Sequence, residues 1–260
     1  MAVYEGWEVQ DDDTFFPTMI SNGFPITGEN AYEKHEILLN NCDLDPSKFR
    51  TAVDIGAHVG IWSKFLSGKF NDVVSFEPSA SNCEYFKKNT TGLSNITLHQ
   101  VALHDKVLDA PIGDSTKTHP RDNTLNIPEA TLPIRQLQTG NHGSYRLIND
   151  EDSIITDPNP LGVTEQNISL KNIDSYGLLD VDLIQIHIKG NEGPVLVGAK
   201  DTIETFRPVI IYQCYENQTN LYGYSVSVID SLFEELNYTI EDNSSVFSAW
   251  NVEYKIAKPN

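Results

Sequence analysis

The sequence predicts an α/β fold, a doubly wound, mostly parallel sheet of the Rossmann-like kind, on three observations. Short apolar runs alternate with helix-length amphipathic segments along most of the 260 residues. Two glycines, Gly56 and Gly60, stand where the first of these runs gives way to a helical pattern. A carboxylate, Glu77, ends the next apolar run. Glycines at a strand-to-helix turn admit close approach of a ligand, and the helix start offers unpaired N–H groups. An acid about 20 residues on, at the neighbouring strand tip, suits the two hydroxyls of a ribose. The combination points to a nucleoside-binding crevice.

The elements follow in order. Residues 1–28 are aromatic and punctuated by Pro and Gly, which predicts an irregular arm packed on a domain spanning 29–260. Tyr32, His35 and Leu38 or Leu39 recur at helical spacing within 29–41. The sheet then opens with strand 51–55, helix 60–68, strand 72–76, helix 79–89 and strand 95–103. Residues 106–167 break the rhythm with Asp, Asn, Thr, Pro and Gly, and read as a long insertion carrying irregular strands or a hairpin. Such an insertion serves either as a lid over the crevice or as a surface excursion or oligomer contact. Order resumes with strand 167–170, strand 182–188, helix 194–205, strand 208–213, helix 225–236 and strands near 237–241 and 251–257.

The glycine spacing narrows the ligand. A dinucleotide turn reads G-x-G-x-x-G, whereas this chain reads Asp54-x-Gly56-x-x-x-Gly60. An acid ahead of the first glycine repels phosphate but suits an ammonium group. The balance favours S-adenosylmethionine over NAD, with an ordinary tight βα turn as the alternative for the glycines taken alone. Asp54, Gly56, His58, Gly60 and Glu77 are therefore the candidate cofactor contacts. Ala102, Leu103 and His104, at a later strand tip, are further candidate cofactor contacts. Asp105 is better placed to cap the following turn.

Several segments resemble one family in its own order. Residues 53–60 (VDIGAHVG), 75–78 (SFEP), 101–105 (VALHD), 172–175 (NIDS), 182–192 (DLIQIHIKGNE), 195–211 (VLVGAKDTIETFRPVII) and 229–240 (IDSLFEELNYTI) are similar to the FkbM-type methyltransferases. Residues 31–33 (AYE) resemble the element that precedes that family's first strand. The group is a class I, S-adenosylmethionine-dependent one. The resemblance implies O-methylation of a hydroxyl on a sugar, glycan or small metabolite.

The fourth-strand motif departs from the family, which there reads Ile-Lys-Ile-Asp-Val-Glu-Gly-x-Glu. This chain has His187 for the aspartate, Lys189 for the first glutamate, and keeps Gly190 and Glu192; Gln213 replaces a further glutamate. Methyl transfer to a hydroxyl needs positioning and a proton acceptor. His187, Lys189 and Glu192 are the catalytic candidates, and an unperturbed His187 base would give activity rising through about pH 6–7. The same changes suit a decayed site, in which His187 is a satisfied polar residue at a buried strand end. The alternative function is a non-catalytic methyltransferase-fold scaffold or assembly component, and an NAD-binding protein is a third reading.

Composition bounds the partners. A formal charge of −19 makes approach to a polyanion costly, so nucleic acid is not expected. No apolar run is long enough for a bilayer, and the acidic first residues lack a secretion signal, so a cytoplasmic location without membrane contact is expected. Cys42, Cys83 and Cys214 are too scattered for a disulfide framework, and the seven histidines show no ligand spacing, so no metal is expected. Small molecules or glycans remain as substrates, with a homo-oligomer or assembly partner open.

Overall fold

The computed structural model describes residues 2–105, 130–136, 145–147, 166–213, 215, 219, 224–250 and 252–260. The arm holds β1 (Ala2–Tyr4), β2 (Trp7–Val9) and α1 (Phe15–Ser21), followed by α2 (Glu33–Asn40). The body runs β3 (Thr51–Ile55), α3 (Ile61–Ser67), β4 (Asp72–Phe76), α4 (Ala80–Asn89) and β5 (Ile96–His99). Next come β6 (Ala102–Leu103), β7 (Ala130–Gln136), β8 (Tyr145–Leu147), β9 (Gln166–Lys171) and β10 (Val181–Ile186). The chain closes with α5 (Glu192–Val197), α6 (Lys200–Phe206), β11 (Val209–Gln213), α7 (Val226–Glu235), β12 (Tyr238–Asp242) and β13 (Tyr254–Pro259).

Seven strands form the main sheet in the order β12-β13-β11-β10-β3-β4-β5. The five strands from β11 to β5 are parallel; β13 is antiparallel to them, and β12, antiparallel to β13, runs again in their direction. Strand order reverses between β3 and β10, because β4 and β5 lie to one side of β3 and the later strands to the other. Crevices in open α/β sheets lie beyond the carboxyl ends at that reversal. The two-residue period of the strands sorts the core. Val53, Ile55, Ile184 and Ile210 face one apolar layer, while Ala52, Leu183, Ile211 and Ile256 face the other with α2 and α3.

Three expectations need correction. The segment 95–103 is not one strand of the main sheet. Val101 N–H donates to His99 O at 3.1 Å, which turns the chain, and β6 then pairs with β9 in a second sheet of order β6-β9-β7-β8. The helix expected at 194–205 breaks into α5 and α6 at Gly198, where a Cβ would stand 2.4 Å from His104 O. The arm is not irregular: β1 and β2 form a hairpin through Glu5 and Gly6, both at positive φ, as a type I′ turn requires. Most of residues 106–167 lie outside the described residues, and so does the lid expectation placed on them. Among the described residues no helix is long and apolar enough to cross a membrane, and no cluster of His, Cys, Asp or Glu is suited to a metal.

Candidate active site at the strand tips

The chain leaving β3 turns at Gly56, where φ is 83°. Gly56 and Ala57 N–H groups both donate to Phe76 O, at 2.9 and 3.1 Å, which ties the loop to the tip of β4. A Cβ on Gly56 would stand 2.3 Å from His187 O, so this glycine is required by the close approach of the β10 tip. Gly60, with φ at 98°, faces Phe86 and Thr90 in the same manner, at 3.2 Å. Both glycines answer to the chain's own packing.

The two carboxylates of the nucleoside pattern are buried. Asp54 is 0% exposed; one oxygen accepts from Ser63 Oγ and the other, Oδ1, has no partner. Burial, with Glu77 adding to it, raises its carboxyl to about 7. Glu77 takes His58 N–H at 2.9 Å on Oε2, and Ser79 N–H at 3.0 Å and Asn82 Nδ2 at 3.1 Å on Oε1. Burial raises the Glu77 pKa, and these donors oppose the shift.

The arm lies over this edge. Trp7, Val9 and Phe16 pack against Val59. Asn89 on α4 mimics a strand partner, accepting from Glu8 N at 2.8 Å and donating to Glu8 O at 2.9 Å. Gln10 Nε2 donates to Asn82 Oδ1 at 2.7 Å.

At the tip of β10, His187 N–H donates to Ile55 O at 3.0 Å, fixing this tip against β3. Lys189 Nζ lies 3.1 Å from His187 Nε2, and Tyr254 Oη lies 3.4 Å from Nδ1. Trp62 Nε1 donates to the same Tyr254 oxygen at 3.4 Å. Burial first, then Lys189 and His58, hold the His187 imidazole well below its ordinary pKa, so it is neutral near pH 7. The expected rise in activity through pH 6–7 therefore moves to lower pH. Burial also lowers the Lys189 amine, with Glu192 opposing. Lys189 sits at φ 59°, a left-handed conformation uncommon for a lysine. Glu192 faces its own turn instead of the crevice: Oε1 accepts from Gly190 N–H at 3.2 Å, and burial raises its carboxyl to about 7.

A cavity of about 880 Å³ opens at these tips. Gly56, His58, His187 and Lys189 line it, together with Gln213 at the end of β11. Asp54, Gly60, Glu77, Ala102, Leu103, His104 and Glu192 do not. Leu103 O accepts from Asn191 Nδ2 at 2.8 Å, and His104 N–H donates to Lys171 O at 2.8 Å, so this stretch is engaged in packing. Among the described residues, the sequence-predicted set is thus split between this cavity and the neighbouring edge at the tips of β4 and β6. Sequence reasoning missed the wall contributed by Phe16, Phe24, Trp62 and Tyr254. The aromatic content of the first 28 residues was the available signal for the arm's share, and nothing marked Tyr254.

Glu77 already accepts three internal donors, one on Oε2 and two on Oε1, and a carboxylate with about four acceptor sites keeps capacity on Oε2 for a ribose hydroxyl. The cavity wall carries Lys189 and, among the described residues, no acid to balance a sulfonium.

Comparison with solved structures gives low-identity likenesses. An FkbM methyltransferase from Methylobacillus flagellatus KT is 17% identical, with 79% of this chain and 43% of that chain covered, at a TM-score of 0.47. The present chain thus spans under half of that one's length. A precorrin-6y C5,15-methyltransferase from Geobacter metallireducens GS-15 is 12% identical, with 90% of each chain covered, at a TM-score of 0.45. An S-adenosylmethionine-dependent methyltransferase from Aquifex aeolicus is 11% identical, covering 86% of this chain and 87% of that one, at 0.42. No curated protein sequence matches significantly. The methyltransferase FkbM domain profile matches residues 54–240, well over half of the chain, from Asp54 at the glycine turn into β12; the protein belongs to the FkbM methyltransferase family.

Proposed function

We propose that the protein is an S-adenosylmethionine-dependent methyltransferase acting on a hydroxyl of a sugar, glycan or small metabolite, with His187 as the proton acceptor. The observation that carries this reading is the cavity at the strand reversal, where the Gly56–His58 loop faces a partly buried imidazole held neutral near pH 7. A substrate hydroxyl gives its proton to Nε2, forming imidazolium, and Tyr254 holds the ring through Nδ1. Lys189 occupies Nε2 in this arrangement, so it must withdraw before the base can act.

His187→Ala should lower turnover by about 10²–10⁴-fold with the acceptor in hand, while methyl-donor affinity measured by calorimetry stays nearly unchanged. Absence of donor binding in the wild type would end the enzymatic reading. A second reading, a non-catalytic scaffold that keeps the fold, is favoured by Glu77, whose three internal bonds give it a structural task without any ligand.

A further inference from the structure

We propose that the strand-tip cavity binds a hydroxylated aromatic carboxylate, with Lys189 holding the carboxylate and Gln213 receiving the hydroxyl. The inference rests on the methyltransferase reading for its chemistry but not for its binding. The chain carries 37 acidic residues against 18 basic ones, yet no Asp or Glu is among the described residues lining this cavity. A basic side chain, Lys189, does line it. Among the described residues Lys189 makes no ion pair, and its one hydrogen bond, to His187 Nε2, is to a neutral ring. An amine so placed leaves donors for an anion.

The walls are aromatic: Phe16, Phe24, Trp62, Tyr215 and Tyr254 line the space, and Phe16 and Tyr254 are buried. A flat ring finds offset-stacked and edge-on partners there. The acceptor for a hydroxyl is Gln213, 3% exposed, whose Nε2 donates to Tyr215 Oη at 3.1 Å while Oε1 has no partner. A buried carbonyl oxygen without a donor is costly, and a ligand O–H satisfies it. At about 880 Å³ the cavity has room for more than one ring.

Calorimetry with 6-hydroxy-2-naphthoate and its neutral carboxamide, without any methyl donor, tests the proposal. The naphthoate should bind at least about 10-fold more tightly than the carboxamide, the usual worth of one charge-assisted hydrogen bond. Lys189→Met should abolish that preference while retaining carboxamide binding, which also reports that the variant is folded. The proposal is overturned by no binding of either probe at millimolar concentration, by equal affinity in the wild type, or by a preference that survives in Lys189→Met. Methionine serves as the competitor that separates two sources of carboxylate. If methionine displaces the naphthoate, Lys189 belongs to the methyl donor's amino-acid end and the proposal fails. Naphthoate binding by a protein that takes up no methyl donor in a separate titration would instead sink the methyltransferase reading and leave the site standing.

Discussion

Asp54→Asn should make the protein more stable at alkaline pH and leave it nearly unchanged in acid. Asp54 is 0% exposed, its Oδ1 has no partner, and its carboxyl is raised from 3.8 to about 7. A displacement of that size corresponds to on the order of 4 kcal/mol, an upper value because the surroundings relax on ionisation. The sign follows from linkage. The folded pKa exceeds the unfolded one, so the contribution is fully present below about pH 4 and is lost as pH rises through about 7. Asparagine has the shape without the charge and keeps an oxygen for the Ser63 hydroxyl. Urea denaturation of wild type and variant at about pH 4, 6 and 8 measures the difference between them. That difference should widen in the variant's favour by up to about 4 kcal/mol across this range. Comparing the two proteins matters, because Glu192, also raised to about 7, titrates in the same window and cancels. A difference that stays constant with pH would refute the reasoning, and one that shrinks would mean a cation partners Asp54.

Two further substitutions probe the loop. Gly56→Ala places a Cβ 2.3 Å from His187 O at φ 83°, whereas Gly28→Ala, at φ 73°, meets nothing within 4 Å. The left-handed conformation costs about 1–2 kcal/mol in both and overpacking about 1–3 more in the first, so thermal melting should fall further for Gly56→Ala; equal shifts would refute the close approach. Glu77→Ala removes the shared acceptor of His58 N–H, Ser79 N–H and Asn82 Nδ2, and should cost about 3 kcal/mol in urea denaturation. A Glu77→Ala protein as stable as wild type would return that carboxylate to a purely ligand-binding role.

The parallel sheet was legible because its strands are short apolar runs bounded by turn residues. The expected 51–55 and 72–76 match Thr51–Ile55 and Asp72–Phe76 residue for residue. Segments failed where tertiary contact overrides a continuous pattern. Nothing in the run 95–103 shows that the chain folds back at His99, and the helical pattern of 194–205 hides that Gly198 must pass His104 O. The hairpin in the arm was hidden because glutamate is an unusual first residue for a type I′ turn. At the site, the glycines were noticed for the right backbone reason, but what approaches them is the β10 tip and α4, which only the fold can reveal. Tyr254 stands 67 positions from His187, and their meeting depends on β13 pairing antiparallel with β11.

The substitutions at the β10 tip change the chemistry of the cavity without moving its frame. His187 is fixed through its backbone, by the bond from its N–H to Ile55 O and by its carbonyl against Gly56, so the side chain is free to vary. Period-two alternation then places Asp54, Gln185 and His187 toward one face of the sheet, with Gln213 and Tyr254 on the same side. A carboxylate at 187 or 189 would make that face hospitable to a cation. With imidazole and amine there instead, and an amide at 213, the same geometry favours an anion by simple Coulomb attraction in a partly buried site. On the proposed reading a change of ligand class needs no change of fold, because Lys189 keeps donors for an arriving anion beside its bond to His187.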